Sequence, residues 1–475
     1  MLDGFTDRTG STADGANRRA AAARTSGCPT ISVPHPAGRY GQVRIHPVIP
    51  SRGHDHPPRT AQFPALIPSG FRFRRSILFI HRSIPRLSTA TVVVVSAVLI
   101  IVAGGGVGVA PAGPPVPGGT LLGARPLTTV AALPSAARTD LITYTSHDAH
   151  GRPIVVTGTV AVPRSAPPSD GWPVISWAHG TTGYADPCAP SRDTDNGPAH
   201  DYIGPVTQVL DTWIQRGYVV VQTDYQGLGT PGGHPYINGV SEANTVTDIV
   251  QAARSLNDSI GTDWVAAGHS QGGQAALFTA QYAAARQPEL SLKGAVAIAP
   301  GGIGLSRMVE FVDSGRPGAT AAAAFLPLIV LGAHVAQPAI DPDKLFTPAA
   351  RPMLQAARTG CVAQIREVPP IPATEIFAPD ADFGPLTRYL EEQDPSVTVP
   401  EVPVLIAQGS ADTLVTEPST DALVDALCGK GTTVDYRVYD GQDHRATVPG
   451  SLADAQRFAA AALSGEPATD ICAAG

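Results

Sequence analysis

The pentapeptide GHSQG at residues 268–272 constrains the fold of this chain more than any other stretch. The apolar run at 264–267 predicts a buried parallel strand before it, and the helix-forming run at 274–285 predicts a helix after it. A serine on a sharp turn between such a strand and such a helix is typical of the nucleophile-elbow motif. The flanking glycines are needed because side chains there would clash where strand and helix approach. The pattern therefore predicts that the Ser270 hydroxyl is exposed at a helix N-terminus, where an anion is stabilised.

Strands and helices are predicted to alternate on both sides of this turn. The predicted strands cover residues 141–146, 154–162, 173–177, 218–223, 264–267, 292–299, 404–408 and 433–439. The predicted helices cover residues 206–216, 243–256, 274–285, 418–427 and 451–463. Alternating buried strands and helices form a mostly parallel sheet with helices on both faces. Together with the elbow, this alternation predicts the α/β-hydrolase fold.

The alternation is interrupted at residues 303–395, where the pattern is helical, broken by prolines and without a convincing strand. The stretch 319–340 within this segment carries no charge and is long enough to span a membrane. Pro327, Gly332 and His334 within it favour a globular segment instead. We therefore predict an inserted helical cap whose apolar face covers the serine.

The N-terminal part of the chain is predicted to lie outside the catalytic domain. Residues 1–86 form a disordered extension, or result from a start codon assigned too far upstream, and residues 113–135 form a Pro/Gly linker. Residues 87–112 form either a signal peptide or a membrane anchor. The hydrolase core then covers residues 136–302 and 396–475, on either side of the cap.

The choice between signal peptide and anchor depends on the segment around residue 100. A cluster of arginines precedes the apolar run at 89–103, and an A-x-A cleavage site follows at 110–112. These are the three parts of a secretory signal peptide. The apolar stretch that continues to Val109 is also long enough to span a membrane, which leaves an uncleaved anchor as the alternative. With either outcome the catalytic part is predicted to be secreted or held at the cell envelope.

Charge and cysteine content exclude several classes of partner and cofactor. The formal net charge of −7 argues against a nucleic-acid partner. The five cysteines form no C-x-x-C pair and lie beside no metal-ligand histidines, so neither a metal nor a cofactor is predicted. Four of them follow the predicted signal segment and allow two disulfides in an exported protein. The spacing alone leaves three pairings open.

A catalytic serine needs a base to take its proton and a third group to orient that base. In α/β-hydrolases these residues follow in the order Ser, Asp or Glu, His, each after the end of a strand. Asp412 and His444 each follow a predicted strand, and the order is the required one. We predict Ser270 as the nucleophile, His444 as the base and Asp412 as the orienting acid. Glu417 is a nearby alternative acid, but it stands where a helix is predicted to begin.

The tetrahedral intermediate of acyl transfer needs two N–H donors, which form an oxyanion hole. One donor is the residue after the nucleophile, Gln271. The other is expected from the H-G-x loop at 179–183, with Thr181 as the first choice and Thr182 as the alternative. A second glycine-rich loop at 224–229 lacks a following Lys-Ser/Thr, so it predicts no nucleotide binding.

Several separate sequence blocks support this prediction together. They are AHGTTG at 178–183, CAPS at 188–191, TDYQGLG at 223–229, GHSQGG at 268–273, QGSAD at 408–412 and DH at 443–444. In this order they resemble the secretory lipase family of the α/β-hydrolase superfamily, over about residues 135–475. The resemblance implies an α/β-hydrolase core, a helical cap between the late strands, an exported enzyme and hydrolysis of acyl esters. It also implies disulfides Cys188–Cys361 and Cys428–Cys472.

The predicted function is that of a secreted serine carboxylic ester hydrolase, a lipase or an esterase. Its substrates would be acyl esters, above all acylglycerols, cleaved through an acyl-enzyme. Association with a membrane or lipid interface and the oligomeric state stay open. Three alternatives also stay open: an acyltransferase with the same triad, a peptidase on this fold, and a non-catalytic hydrolase-fold envelope protein.

Overall fold

The computed structural model describes residues 116–316 and 318–474. The predicted extension at 1–86 and the predicted signal peptide or anchor at 87–112 lie outside these residues. Among the helices in the described ranges, none combines the length and the apolar character needed to cross a membrane.

A nine-stranded sheet forms the centre of the described part. Its strands are β1 Leu121–Pro126, β2 Arg138–His147, β3 Pro153–Val162, β4 Trp172–Ala178, β5 Val219–Thr223, β6 Ile260–His269, β7 Ser291–Ile298, β8 Val404–Gly409 and β9 Val434–Tyr439. They are ordered β1-β2-β3-β5-β4-β6-β7-β8-β9. The pairs from β1 to β5 along this order are antiparallel, and all later pairs are parallel. The prediction of a mostly parallel sheet is confirmed.

Twelve α-helices accompany the sheet within the described residues. They are α1 His200–Gln215, α2 Gly239–Leu256, α3 Gln271–Arg286, α4 Met308–Asp313, α5 Ala319–Ala323, α6 Leu326–Ala336, α7 Pro342–Leu345, α8 Arg351–Thr359, α9 Val362–Glu367, α10 Gly384–Glu392, α11 Glu417–Cys428 and α12 Thr447–Ser464. Every residue of β8 and the last six residues of β6 are buried. Consecutive buried residues in a strand mean that both faces of the sheet are covered.

The seven helices α4 to α10 form the insertion between β7 and β8. They have a hydrophobic cluster of their own, separate from the one around the sheet. Helix α6 is the centre of this cluster, since nine of its eleven residues are buried. A helix that is apolar on all sides must be buried. The uncharged stretch 319–340 therefore contains two packed helices, α5 and α6, rather than one membrane span.

One correction concerns residues 113–135, which the sequence pattern assigned to a linker. Within the described part of that segment, residues 121–126 form strand β1, which pairs antiparallel with β2 at the edge of the sheet. Five of its six residues are exposed, so no buried face produces an alternating pattern. Its sequence, LLGARP, also contains a glycine and ends in proline, which are both disfavoured in strands.

Two disulfides join distant parts of the described chain. Cys188, after β4, is bonded to Cys361 in the insertion, and their Cα atoms lie 5.5 Å apart. Cys428, at the end of α11, is bonded to Cys472 near the C-terminus. These are the two pairs that the family resemblance implied.

Candidate active site

Ser270 lies on the turn between β6 and α3, with φ 57° and ψ −118°. This left-handed backbone is strained for a residue with a side chain. The flanking glycines permit it, because a Cβ at Gly272 would lie 1.8 Å from the Ala178 carbonyl oxygen. A Cβ at Gly268 would likewise lie 2.1 Å from the Gly272 carbonyl oxygen. The turn therefore has the geometry that the G-x-S-x-G pattern predicts.

Asp412 and His444 contact each other beside this turn. The Nδ1 atom of His444 lies 2.6 Å from Oδ2 of Asp412. The other carboxylate oxygen of Asp412 accepts hydrogen bonds from the backbone N–H groups of Leu414, at 2.8 Å, and Val415, at 2.9 Å. The Asp412 side chain is buried, and that of His444 is 13% exposed. Since Asp412 occupies Nδ1, the Nε2 atom of His444 is left to exchange a proton.

A cavity of about 890 Å³ connects the predicted site residues. Ser270, His444, Gln271 and Thr181 all line it, whereas Asp412 lies behind His444. The structure therefore brings together the predicted nucleophile, base and oxyanion donors at one surface. Of the two threonines considered for the oxyanion hole, Thr181 lines the cavity and Thr182 does not.

The insertion supplies most of the remaining cavity wall. Its apolar lining residues include Ile303, Leu305, Met308, Phe311, Ala322, Phe325 and Ile329. Three charged residues, Arg307, Glu310 and Arg316, also line the cavity and are exposed to solvent. Helix α11 contributes Ser419 and Ala422. The site is thus polar at the edge of the sheet and mainly apolar towards the insertion.

The two predicted oxyanion donors are held by different contacts. Gln271 is the first residue of α3, so its backbone N–H has no partner within the helix and points away from it at the positive end of the helix dipole. The Thr181 hydroxyl lies 2.8 Å from the hydroxyl of Tyr236. The next carbonyl, that of Thr182, accepts a hydrogen bond from the backbone N–H of Val362 in the insertion. The loop is therefore fixed to the insertion as well as to the core.

A buried polar network lies behind the elbow. The side-chain amide of Gln271 donates to Oε1 of Glu242 at 2.7 Å and lies 3.0 Å from Nε2 of His234. Burial raises the pKa of Glu242 to about 8, although hydrogen bonds from Gln271 and from the backbone of Ile237 oppose this shift. Burial also lowers the pKa of His234 to about 3. Sequence reasoning missed Glu242 and His234. Glu242 directly precedes the predicted start of α2 at residue 243, but His234 lies nine residues before it and carries no local signal.

Polar residues of the loops at 179–183 and 224–229 support the oxyanion donors to different degrees. The Tyr225 hydroxyl donates to the His179 carbonyl at 3.0 Å, so it contacts this loop directly. Asp224 instead accepts hydrogen bonds from Ser191 and Thr157. His179 is buried, and burial lowers its pKa to about 4. Among the described residues no group of three or more His, Cys, Asp or Glu side chains is arranged to hold a metal ion.

Solved structures with the same α/β-hydrolase fold include a lipase and an esterase. Candida antarctica lipase A aligns with a TM-score of 0.64 at 19% identity, over 75% of this chain and 84% of that one. The rice cell wall degrading esterase LipA from Xanthomonas oryzae aligns with a TM-score of 0.56 at 19% identity, over 73% and 97%. A protein from Legionella pneumophila aligns with a TM-score of 0.58 at 20% identity, over 74% and 100%. The predicted fold class is confirmed.

The family follows from a match at the level of sequence. The sequence profile of the family described as secretory lipase matches residues 206–471, which is more than half of the chain. The chain therefore belongs to the secretory lipase family and is a lipid or ester hydrolase, as the resemblance implied. A comparison with curated proteins finds no match. The family and the two disulfides also fit an extracellular protein.

Proposed function

We propose that this protein is an exported serine ester hydrolase that cleaves acyl esters, in particular acylglycerols, through Ser270, His444 and Asp412. One observation carries the proposal: a strained serine and a carboxylate-oriented histidine line one cavity with mainly apolar walls. This is the constellation by which a serine hydroxyl is activated in unrelated hydrolases. Membership in the secretory lipase family supports the choice of esters as substrates.

The reaction follows from this arrangement in two stages. His444 takes the proton of Ser270 through Nε2, and the serine oxygen attacks the ester carbonyl carbon. The backbone N–H groups of Gln271 and Thr181 stabilise the resulting oxyanion. Collapse of the intermediate transfers the proton from His444 to the departing alcohol and leaves an acyl-enzyme. Water then attacks the acyl-enzyme through the same steps, with His444 again taking the proton, and the carboxylic acid is released.

The shape of the cavity supports acyl chains over polar substrates. The apolar side chains of Phe311, Phe325 and Ile329 form part of its wall. Burying a methylene group against such a wall contributes about 0.8 kcal/mol, so affinity should increase with chain length until the cavity is filled. The volume of about 890 Å³ lies within the range of sites that enclose a small organic molecule.

Replacement of the nucleophile tests this proposal. Ser270→Ala should abolish hydrolysis of a chromogenic acyl ester and covalent labelling by a fluorophosphonate, with an unchanged unfolding midpoint. Ser419→Ala is the matched control, because Ser419 lines the same cavity on α11; it should stay active and labelled. Hydrolysis or labelling retained by Ser270→Ala would disprove the assignment. Product analysis with an added alcohol acceptor distinguishes hydrolysis from acyl transfer.

Export is a separate part of the proposal. The family and the two disulfides support it, since disulfides persist in oxidising compartments. N-terminal sequencing of the protein recovered from the culture medium should give a mature chain that begins shortly after residue 112. Recovery of the protein only with the membrane fraction and with residues 87–112 attached would show an uncleaved anchor instead.

A further inference from the structure

His269, the residue before the nucleophile, connects two parts of the site that the triad itself does not join. It is 1% exposed, and its Nε2 atom lies 2.8 Å from the backbone carbonyl oxygen of His444. Its Nδ1 atom lies 3.0 Å from the hydroxyl of Tyr202. That hydroxyl accepts a hydrogen bond of 2.8 Å from the backbone N–H of Gly180, in the oxyanion loop. One imidazole thus joins the loop of the base to the loop of the oxyanion donor.

The direction of each hydrogen bond in this chain follows from the groups present. The Gly180 N–H can only donate, so the Tyr202 oxygen accepts there and its own proton is directed to Nδ1 of His269. The His444 carbonyl can only accept, so Nε2 of His269 carries the hydrogen and donates it. His269 is therefore the neutral tautomer protonated on Nε2. Its two ring nitrogens have one partner each, and neither is free for another role.

The N-terminus of α1 supports the same segment from the solvent side. Arg445, the residue after the base, places its guanidinium group 5.6 Å from the ring centre of Tyr202. Its Nη1 atom also lies 3.0 Å from a carboxylate oxygen of Asp201. A Cβ at Gly180 would lie 2.4 Å from the Tyr202 hydroxyl oxygen, so the close approach of that hydroxyl requires the glycine. Tyr202 is thus held between the oxyanion loop and the segment that carries His444.

We propose that His269 is a positioning residue, which holds the backbone of His444 in register with the oxyanion loop through Tyr202. The inference rests on the proposed triad. Proton transfer and oxyanion stabilisation must occur in the same transition state, and a displacement of about 1 Å at either one can cost on the order of 100-fold in rate. Asp412 fixes the orientation of the His444 ring, whereas His269 fixes the distance of the His444 backbone from Ser270.

The charge state of His269 fits this role. Its ring centre lies 4.6 Å from that of His444. Burial, together with the nearby His444, lowers the pKa of His269 well below the usual range. His269 therefore stays neutral when His444 takes the proton of Ser270, and it does not repel the imidazolium that forms. A positively charged side chain could not occupy this position without opposing the reaction.

Four variants test the proposal. Each rate is divided by the number of active sites, which is counted by complete labelling with a fluorophosphonate. His269→Leu removes both hydrogen bonds and should lower kcat per labelled site roughly 10- to 100-fold, with KM within about twofold. His269→Gln keeps an amide donor and an acceptor and should recover most of this loss. Tyr202→Phe removes one link and should lower kcat roughly fivefold. The double variant His269→Leu/Tyr202→Phe should lose no more than His269→Leu alone.

Thr212→Val is the matched control, because Thr212 lies on the same helix as Tyr202 but contacts Gln456 of α12, away from the site. It should leave kcat per labelled site unchanged. A purely structural role for His269 would lower the unfolding midpoint and leave kcat per labelled site within twofold of wild type, and this result would overturn the proposal. If His269→Leu does not fold, an unchanged kcat in Tyr202→Phe would overturn it as well. Failure of the triad itself would show separately, as absent labelling of Ser270 in the wild type.

Discussion

The two sides of the cavity are built by different kinds of interaction. At the edge of the sheet, hydrogen bonds between buried polar groups hold the site, as between Asp412 and His444 or between Gln271 and Glu242. On the side of the insertion, short helices pack around their own hydrophobic cluster and present apolar side chains such as Phe325. Hydrogen bonds fix atoms to within tenths of an ångström, whereas apolar packing mainly fixes shape and volume. We therefore expect the sheet edge to determine the rate of the proposed chemical step and the insertion to determine which acyl chains fit.

The largest effect is expected from the orienting acid at the sheet edge. Asp412→Asn places an amide against Nδ1 of His444 and favours the wrong tautomer, so kcat should fall on the order of 10⁴-fold for short and long esters alike. Glu417→Gln, which alters the nearby carboxylate at the start of α11, should keep kcat within twofold. Steady-state kinetics with esters of several chain lengths provides the measurement. A loss that depended on chain length would contradict the division between chemistry and shape.

The next effect concerns the covalent link between the two sides. A double replacement of Cys188 and Cys361 by serine opens a loop of 173 residues, and the same replacement of Cys428 and Cys472 opens one of 44. Each should lower the free energy of unfolding by about 2–4 kcal/mol, and the first by about 1 kcal/mol more than the second. Denaturant unfolding of both variants checks this order. The reverse order would show that the insertion stays in place without its disulfide.

A change in the wall of the insertion should affect selectivity rather than chemistry. Ala322→Phe places a ring in the cavity and should lower kcat/KM for a palmitoyl ester roughly 10- to 100-fold. The value for an acetyl ester should change less than threefold. Ala324→Phe is the control, because Ala324 lines a separate groove of the insertion. Equal losses for both esters would mean that the ring disturbs Ser270 itself.

The smallest effect comes from the buried acid behind the elbow. The pKa of Glu242 is raised from 4.5 to about 8. Between these two pH values the Glu242 carboxyl is protonated in the folded state and ionised in the unfolded chain. Its contribution to stability is fully present below about pH 4.5 and is lost as the pH rises towards about 8.

Glu242→Gln removes this titration. The difference in unfolding free energy between variant and wild type should therefore shift in favour of the variant by about 1 kcal/mol per pH unit between roughly pH 6 and pH 7. Denaturant unfolding at several pH values measures it. A difference that does not vary with pH would show that Glu242 keeps an ordinary pKa in the folded protein.

The sequence predicted those features that depend on short segments. The elbow around Ser270 is a local strand-turn-helix pattern, and Asp412 and His444 each follow a strand that is apolar enough to recognise. The fold class was predictable because alternating strands and helices admit few topologies. The catalytic roles of these residues remain predictions until the variants are measured.

The features that the sequence did not reveal depend on contacts between distant segments. Helix α1 begins at His200 rather than at 206, because the packing of Tyr202 and Ile203 outweighs the penalty of Pro205 inside the helix. The pairing of Gln271 with Glu242 likewise joins residues 29 positions apart. The intrinsic preference of a residue for helix or strand carries no information about such partners, since tertiary packing decides them.

The position of β9 at the edge of the sheet has a consequence for biosynthesis. His444 follows this last strand, so a nascent chain carries Ser270 well before it carries a base. Domains generally fold as units during synthesis, so the sheet is complete only once β9 has been made. A partly translated or C-terminally truncated chain therefore lacks the proposed base, and we expect it to be inert towards the esters of the cell that makes it.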